Sequence, residues 1–472
     1  MTRMSPNSMD AYNLLHRGIL AFSRIESNGM MVDIDYCKRT QSEVRDRMSA
    51  LRKKLDNYKE IRRWKNIYGS KFNMTSNTQL GNFLFRHMGL EPTKMTAGGE
   101  ASTDYESLAA LEIDWVNDLL SYRKLHKVQA TYLSNIIKES VNGILRPSFH
   151  LHTVKTYRSS SSNINFQNIP VRDPDVSELI RTAFIARPGR MLLEVDFSKL
   201  EVCIAACYHK DPTMIKYLID ATKDMHRDMA SQCYKLEKVK MDWKLKPHKN
   251  IRYCGKNQFV FPEFYGDYYA NCAQALWSSI AKMALTVNGI PLKEHLRSRG
   301  IASYTAFENH IQKVENHFWN KRFQVYGQWK DDWVNEYHDK GYFITKTGFK
   351  CSGYMGRNDV INYPVQGAAF HCLLWSLIEL EQELRARKMK SLIIGQIHDS
   401  IVMDVVPEEL DMVVAMLKDI MTVRLLEAWK WIIVPLKIEI ETTPVDGNWF
   451  QKKELKMEEV QNENQRNPTK MD

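Results

Sequence analysis

The chain has 472 residues, 44% of them hydrophobic and 11% aromatic, and its 66 basic against 56 acidic side chains leave a net charge of +10. That content can fill a sizeable core, which excludes a disordered or fibrous chain, and the basic excess suits a polyanionic partner, nucleic acid or acidic membrane surface alike. No apolar run reaches the length of a membrane span, Met1–Asp10 lacks the apolar core of a secretory signal, and none of the eight cysteines forms a Cys-x-x-Cys pair, so a soluble cytoplasmic protein with buried thiols and no zinc is expected.

From Ala11 to Leu55 the apolar spacing predicts two helices, broken at Ser27-Asn28-Gly29, with a short extended piece at Met30–Ile34 and the second helix starting near Asp33. Gln79–Leu90 is a short amphipathic helix closed by Gly89, and 93–103 has the composition of a surface loop. A long helix follows from Trp115 to Ser140. It carries Arg123, Lys124 and Lys127 on one side, which fits a phosphate backbone or plain solvent equally well.

Phe149–Pro170 is polar and rich in Ser and Asn. Its Arg158, Asn165, Gln167 and Asn168 suit base edges, sugars or phosphates, and Phe166 and Ile169 among them speak against a plain linker. Arg190–Asp196 reads as a strand and Ser198–His209 as a helix, so Asp196 ends a strand, where a carboxylate can face a cleft. Ser198-x-x-Glu201 has capping-box spacing, which on local grounds makes Glu201 a helix cap.

Lys244–Gly266 is basic first and aromatic afterwards. Arg252 and Lys256, four apart, share one helix face, where they suit an anion such as a triphosphate or merely water. Phe259, Phe261, Phe264 and Tyr265 suit base stacking or core packing, and Pro262 is expected to end or kink the helix. Gly341–Gly348 predicts a hairpin. Asn362-Tyr-Pro-Val-Gln366-Gly367 then leads into an apolar helix from Ala368 to Leu384, with Gln366 at its start as a cap or facing a ligand. Ser391–Val405 holds two apolar, β-branched runs meeting at His398-Asp399, a hairpin with Asp399 at its tip. A carboxylate fixed there suits a metal, although Asp is also an ordinary turn residue, and it makes Asp399 the natural partner of Asp196. A helix over Glu408–Lys430, a strand over Val434–Glu441 and a charged, disordered tail from Gln451 complete the chain.

Taken in order, IESNGMMVDIDYC (Ile25–Cys37), NMTSNTQLGNFLFRHMGL (Asn73–Leu90), TYRSSSSNINFQNIPVR (Thr156–Arg172), LLEVDFSKLEV (Leu192–Val202), DMH (Asp224–His226), NYPVQG (Asn362–Gly367) and QIHDS (Gln396–Ser400) resemble the polymerase region of family A DNA polymerases, in a short, phage-like form. The resemblance implies an α/β (α+β) right-hand fold, with an antiparallel palm sheet and mostly helical thumb and fingers. By it, residues 1–155 are a lead and thumb, 156–224 and 341–450 the palm, 225–340 the fingers and 451–472 a tail. It further implies two Mg²⁺ ions on Asp196 and Asp399, with Phe197 offering its carbonyl, and it puts Glu201 at a ribose-excluding gate. It puts Ser198, His226, Arg252, Lys256, Phe261 and Tyr265 at the incoming deoxynucleoside triphosphate, and Lys127, Arg158, Asn165, Asn168, Asn362, Gln366 and His398 at the DNA primer–template.

Three departures accompany this resemblance. Tyr157 stands where the family has Gly, Ser400 stands where it often has a third carboxylate, and one extra residue, with Pro262, lies between Lys256 and Tyr265. The resemblance starts near residue 11, so the expectation is a viral or phage replicase without exonuclease domains of its own, any editing or processivity factor being a separate protein. The alternatives are a single-subunit phage-type RNA polymerase, against which Glu201 speaks, and a nucleic-acid-binding protein that has lost catalysis, against which both aspartates speak.

Overall fold

Met191–Phe197 is the middle strand of a five-stranded antiparallel sheet, ordered Leu392–Ile397, Ser400–Val405, Met191–Phe197, Ile438–Thr442, Lys453–Glu454. The computed structural model describes residues 2–96, 98–170, 173–237 and 241–455. Ser400–Val405 is buried at every position, so its run of apolar residues without alternation is that of a strand covered on both faces. The first residues of the tail expected from Gln451 are ordered into elements. Trp449–Gln451 is a 3₁₀ turn and Lys453–Glu454 is the edge strand, while residues 456–472 lie outside the described residues.

The hairpin Tyr342–Ile344/Phe349–Ser352 forms as predicted and gains a third strand from Arg3–Pro6, which draws the first residues onto the second half of the chain. Helix Ile34–Asp56 starts where expected, with Asp33 accepting from the Tyr36 N–H at 2.8 Å. The predicted 115–140 helix runs as Asp114–Lys127, a π turn Val128–Leu133 and Ser134–Glu139. The N-terminal helices build their own apolar core around Trp64, Phe83, Trp115 and Leu119, separate from the main core over the sheet.

Gln366 corrects the sequence reading. It lies inside a 30-residue helix, Arg357–Ala386, rather than at the start of one, and Pro364 lies inside the same helix. A proline cannot donate to the carbonyl four residues earlier, and here Trp333 Nε1 donates to Val360 O at 3.0 Å instead. Met9–Asn28 and Leu200–His209 pack against this long helix, which is buried nearly all round at its centre. Among the described residues all eight cysteines are free and buried, and no helix is long and apolar enough to cross a membrane.

Candidate active site

The Leu392–Ile397/Ser400–Val405 hairpin turns on two residues, with His398 in the left-handed region at φ 49° and Asp399 following it. Ser400 pairs with Asp196 on the central strand, so the turn sets Asp399 beside Asp196 at one end of the sheet. The turn is held from below. Gln396 Nε2 donates to His398 O at 2.6 Å, the His398 N–H donates to Gln167 Oε1 at 2.6 Å, and Ser159 bonds Gln396. Gln167 is thus a strut for the turn.

The two carboxylates repel. Burial, then Asp399, Glu194 and Glu439, push Asp196 up to about 7, although its side chain opens to the cleft. Burial also raises Asp399, which Arg158 and His398 oppose and Glu201 reinforces. Asp399 Oδ1 is buried and has no hydrogen-bond partner. Ser400 supplies no third carboxylate, and its hydroxyl is spent on Glu194 at 3.1 Å and Ile397 O at 2.9 Å. Glu439 stands directly across from Asp196 on the other neighbouring strand and is exposed. Among the described residues no group of three or more His, Cys, Asp or Glu side chains is arranged to hold a metal, which leaves the aspartate pair.

Both aspartates line a cavity of about 620 Å³ whose opposite wall is Lys246–Gly255 and the turns after it. Arg252 and Lys256 reach it from one face, as their spacing predicts. Asp224, the N-cap of helix Met225–Cys233, holds Arg252 Nε at 2.8 Å. Burial, then Arg252 and Lys199, lowers Lys256. His226 is buried, brought down to about 4 by burial and then Arg252, and meets the Phe261 ring edge-on at 5.7 Å. Pro262 does not end the helix. Lys256–Val260 is a π turn, which takes one more residue per turn than an α-helix, and Phe261–Phe264 continues from it. The extra residue between Lys256 and Tyr265 is absorbed there, and Lys256 Nζ lies 5.0 Å from the Phe261 ring centre.

Glu201 is not a helix cap. Lys199 takes a left-handed conformation, the helix starts at Leu200 without a side-chain cap, and Glu201 is left to bond Arg158 on one oxygen and the Tyr265 hydroxyl, at 2.6 Å, on the other. Tyr157, where the family resemblance expects Gly, is itself left-handed at φ 55°. Its hydroxyl donates to Met4 O at 2.7 Å and its ring packs on Phe349, contacts that offset the strain next to Arg158.

The cavity gathers Asp196, Phe197, Glu201, His226, Arg252, Lys256, Phe261, Tyr265, Asn362, Gln366 and Asp399. Asn362 and Gln366 do so from one face of the long helix. Arg158 and His398 stand at its edge, through Glu201 and Asp399. Ser198 lies off the cavity, its N–H on Lys437 O. Asn165 and Asn168 are exposed around a 3₁₀ turn that Asn165 caps. Lys127 is exposed, 5.9 Å from the Tyr132 ring centre, while Lys124 is paired with Asp173 at 2.5 Å and Arg123 Nε donates to Met74 O, so that side of the helix is no free basic face. Sequence reading missed Asp224, Lys199 and Lys223 as cavity residues. For Asp224 the signal was present, since Asp before a helical run is a cap.

Residues 35–282 and 300–450 match DNA polymerase family A. The chain belongs to this family. It is 28% identical to DNA polymerase I of Lactococcus lactis subsp. lactis over 449 residues, covering 91% of this chain and 44% of that protein. It is 27% identical to the DNA polymerase of Escherichia phage T5 over 417 residues, 83% of this chain and 46% of the phage protein. The family A chain thus spans less than half the length of these relatives. In fold it is similar to the POL domain of Pol1 from M. smegmatis in complex with DNA primer–template and dNTP, with a TM-score of 0.70 at 20% identity, covering 92% of this chain and 70% of that one.

Proposed function

We propose that this chain is a template-directed DNA polymerase, which adds deoxynucleotides to a primer 3′ end in the replication of viral or phage DNA in the cytoplasm. One observation carries the reading: two mutually repelling carboxylates, Asp196 and Asp399, share a cavity with Arg252 and Lys256. The pair fits Mg²⁺, a hard cation that takes carboxylate oxygens, because Asp399 Oδ1 is buried without a partner and Asp196 faces the charges of Asp399, Glu194 and Glu439. Asp196, Asp399 and the Phe197 carbonyl are the groups to hold two such ions, which when bound acidify the attacking 3′-hydroxyl and stabilise the leaving pyrophosphate.

The chain's own residues do the rest. Arg252, aimed by Asp224, and Lys256 bind the triphosphate, with His226 beside them. Phe261 offers a face to the incoming base, and Tyr265, tied to Glu201, closes the floor under the sugar. Asn362 and Gln366 reach the duplex from the long helix, Arg158 and His398 stand at the primer end, and Asn165, Asn168 and Lys127 track the strands outside the cavity. Likeness to the phage T5 DNA polymerase supports the viral setting.

The test is primer extension on a DNA template with Mg²⁺, with deoxynucleotides or ribonucleotides, beside Asp399→Ala. Deoxynucleotide extension that the substitution abolishes is expected. Equal ribonucleotide use, or extension that survives in Asp399→Ala, would overturn the reading.

A further inference from the structure

Lys199 is neither in the sheet nor in the helix that follows it. It joins Met191–Phe197 to Leu200–His209 at φ 59° and ψ 32°, a left-handed conformation that costs a side-chain-bearing residue free energy. Its side chain caps nothing. It is exposed and lines the cavity of Arg252 and Lys256, and among the described residues it has no ion-pair partner. Its charge depresses both Lys256 and His226 across that space. Arg252 has Asp224 for company, whereas among the described residues neither Lys199 nor Lys256 forms an ion pair with an acid, and each faces the other's charge. Cations placed so are stabilised by a polyanion entering from outside.

The position within the chain says which part of the anion. Lys199 follows Asp196 by three residues and is fixed to the end of the sheet, while Arg252 and Lys256 come from the facing helix. We propose that Lys199 is a third cation for the triphosphate of the incoming nucleotide, holding the two phosphates that leave as pyrophosphate from the sheet side while Arg252 and Lys256 hold them from the other wall. This rests on the polymerase reading above.

The experiment measures the KM for dNTP and kcat in primer extension, and the binding of Mg²⁺-tripolyphosphate by calorimetry, for wild type, Lys199→Gln, Lys199→Arg and Lys199→Gly. Loss of one charge-assisted contact is expected to raise the KM and weaken tripolyphosphate about tenfold in Lys199→Gln, with kcat within about twofold and Lys199→Arg close to wild type. Lys199→Gly relieves the left-handed strain, so it should melt no lower than wild type yet show the same rise in KM. Unchanged KM and tripolyphosphate affinity in Lys199→Gln and Lys199→Gly would overturn the proposal and leave Lys199 a residue of the turn alone. Tripolyphosphate binding that weakens in Lys199→Gln supports it even if wild type extends no primer, a result that would count against the polymerase reading instead.

Discussion

The Tyr265 hydroxyl donates to Glu201 Oε2 at 2.6 Å, while Arg158 bonds the other oxygen of the same carboxylate. One buried-edge acid therefore ties together the sheet side of the cavity, the helix opposite and the polar segment before residue 170. Burial and the Glu201 charge both raise Tyr265, so its hydroxyl stays protonated and keeps donating throughout the working pH range.

Glu201→Ala is expected to release Tyr265 and Arg158 together. A hydrogen bond to a charged acceptor contributes about 1.5–3 kcal/mol, so deoxynucleotide kcat/KM should fall on the order of tenfold to a hundredfold. If Glu201 and Tyr265 form the proposed floor under the sugar, the preference for deoxynucleotides over ribonucleotides should narrow at the same time. Competition assays with paired nucleotides measure both. A preference that stays unchanged would show that Glu201 only positions Arg158.

Removing either cavity aspartate separates activity from stability. Asp196→Asn and Asp399→Asn should each cut extension by about a thousandfold or more. The sign for stability is opposite. Asp196 is raised to about 7, so the folded chain keeps a proton that the unfolded chain has lost, and this stabilisation, complete below the ordinary carboxylate range, disappears as pH rises through about 7. In metal-free buffer near pH 8, Asp196→Asn should therefore be more stable than wild type by about 1 kcal/mol, a figure reduced for screening because the carboxylate opens to solvent. Urea unfolding with and without Mg²⁺ measures it, and Mg²⁺ should erase the difference.

The two aspartates were legible because Asp196 falls near the end of one apolar, strand-like run and Asp399 at the turn between two others. The antiparallel sheet that joins them was legible only through the family resemblance. What was not legible depended on contacts from far along the chain. Ser198-x-x-Glu201 has capping-box spacing, yet Lys199 takes the left-handed conformation and Glu201 is drawn away by Arg158 and Tyr265, 43 and 64 residues distant. Pro364 lies in the segment read as leading into a helix from Ala368, yet it is inside the helix, where the Trp333 indole, from another helix, donates to the carbonyl that the proline cannot reach. The extra residue before Tyr265 could be counted in the sequence, but not the π turn that takes it up.

Trp333→Phe tests that indole. It keeps most of the ring and removes the donor, leaving Val360 O without its partner beside Pro364. An orphaned carbonyl costs about 1–3 kcal/mol, and denaturant unfolding should show a loss of that order. The same helix presents Asn362 and Gln366 to the cavity, so a rise in apparent primer–template Kd should accompany the loss. Stability and Kd that both match wild type would mean that water satisfies Val360 O as well as the indole does.

Glu263 gives the chain a second pH dependence, two residues from Tyr265. It is 1% exposed, its Oε2 accepts from Trp319 Nε1 at 2.8 Å and its Oε1 from Cys272 Sγ at 3.6 Å. Burial raises it well above the carboxylate range, Glu315 adds to the rise, and the Trp319 bond, Cys272 and Lys330 oppose it. A raised acid stabilises fully below its unfolded value and less as pH climbs through its folded one. Lys330, packed 3.1 Å over the Trp319 ring, is brought down to about 8 chiefly by burial, so its own contribution rises with pH above that point. Stability should therefore fall from about pH 5 to about pH 8 and then rise again as the Lys330 contribution takes over. Glu263→Gln keeps an acceptor for Trp319 and should remove part of the fall, on the order of 1 kcal/mol. Mg²⁺ distinguishes this slope from that of Asp196, since it offsets the aspartate's share and leaves that of Glu263. A Glu263→Gln profile parallel to wild type in saturating Mg²⁺ would show that Glu263 stays ionised in the folded chain, paired with Lys330.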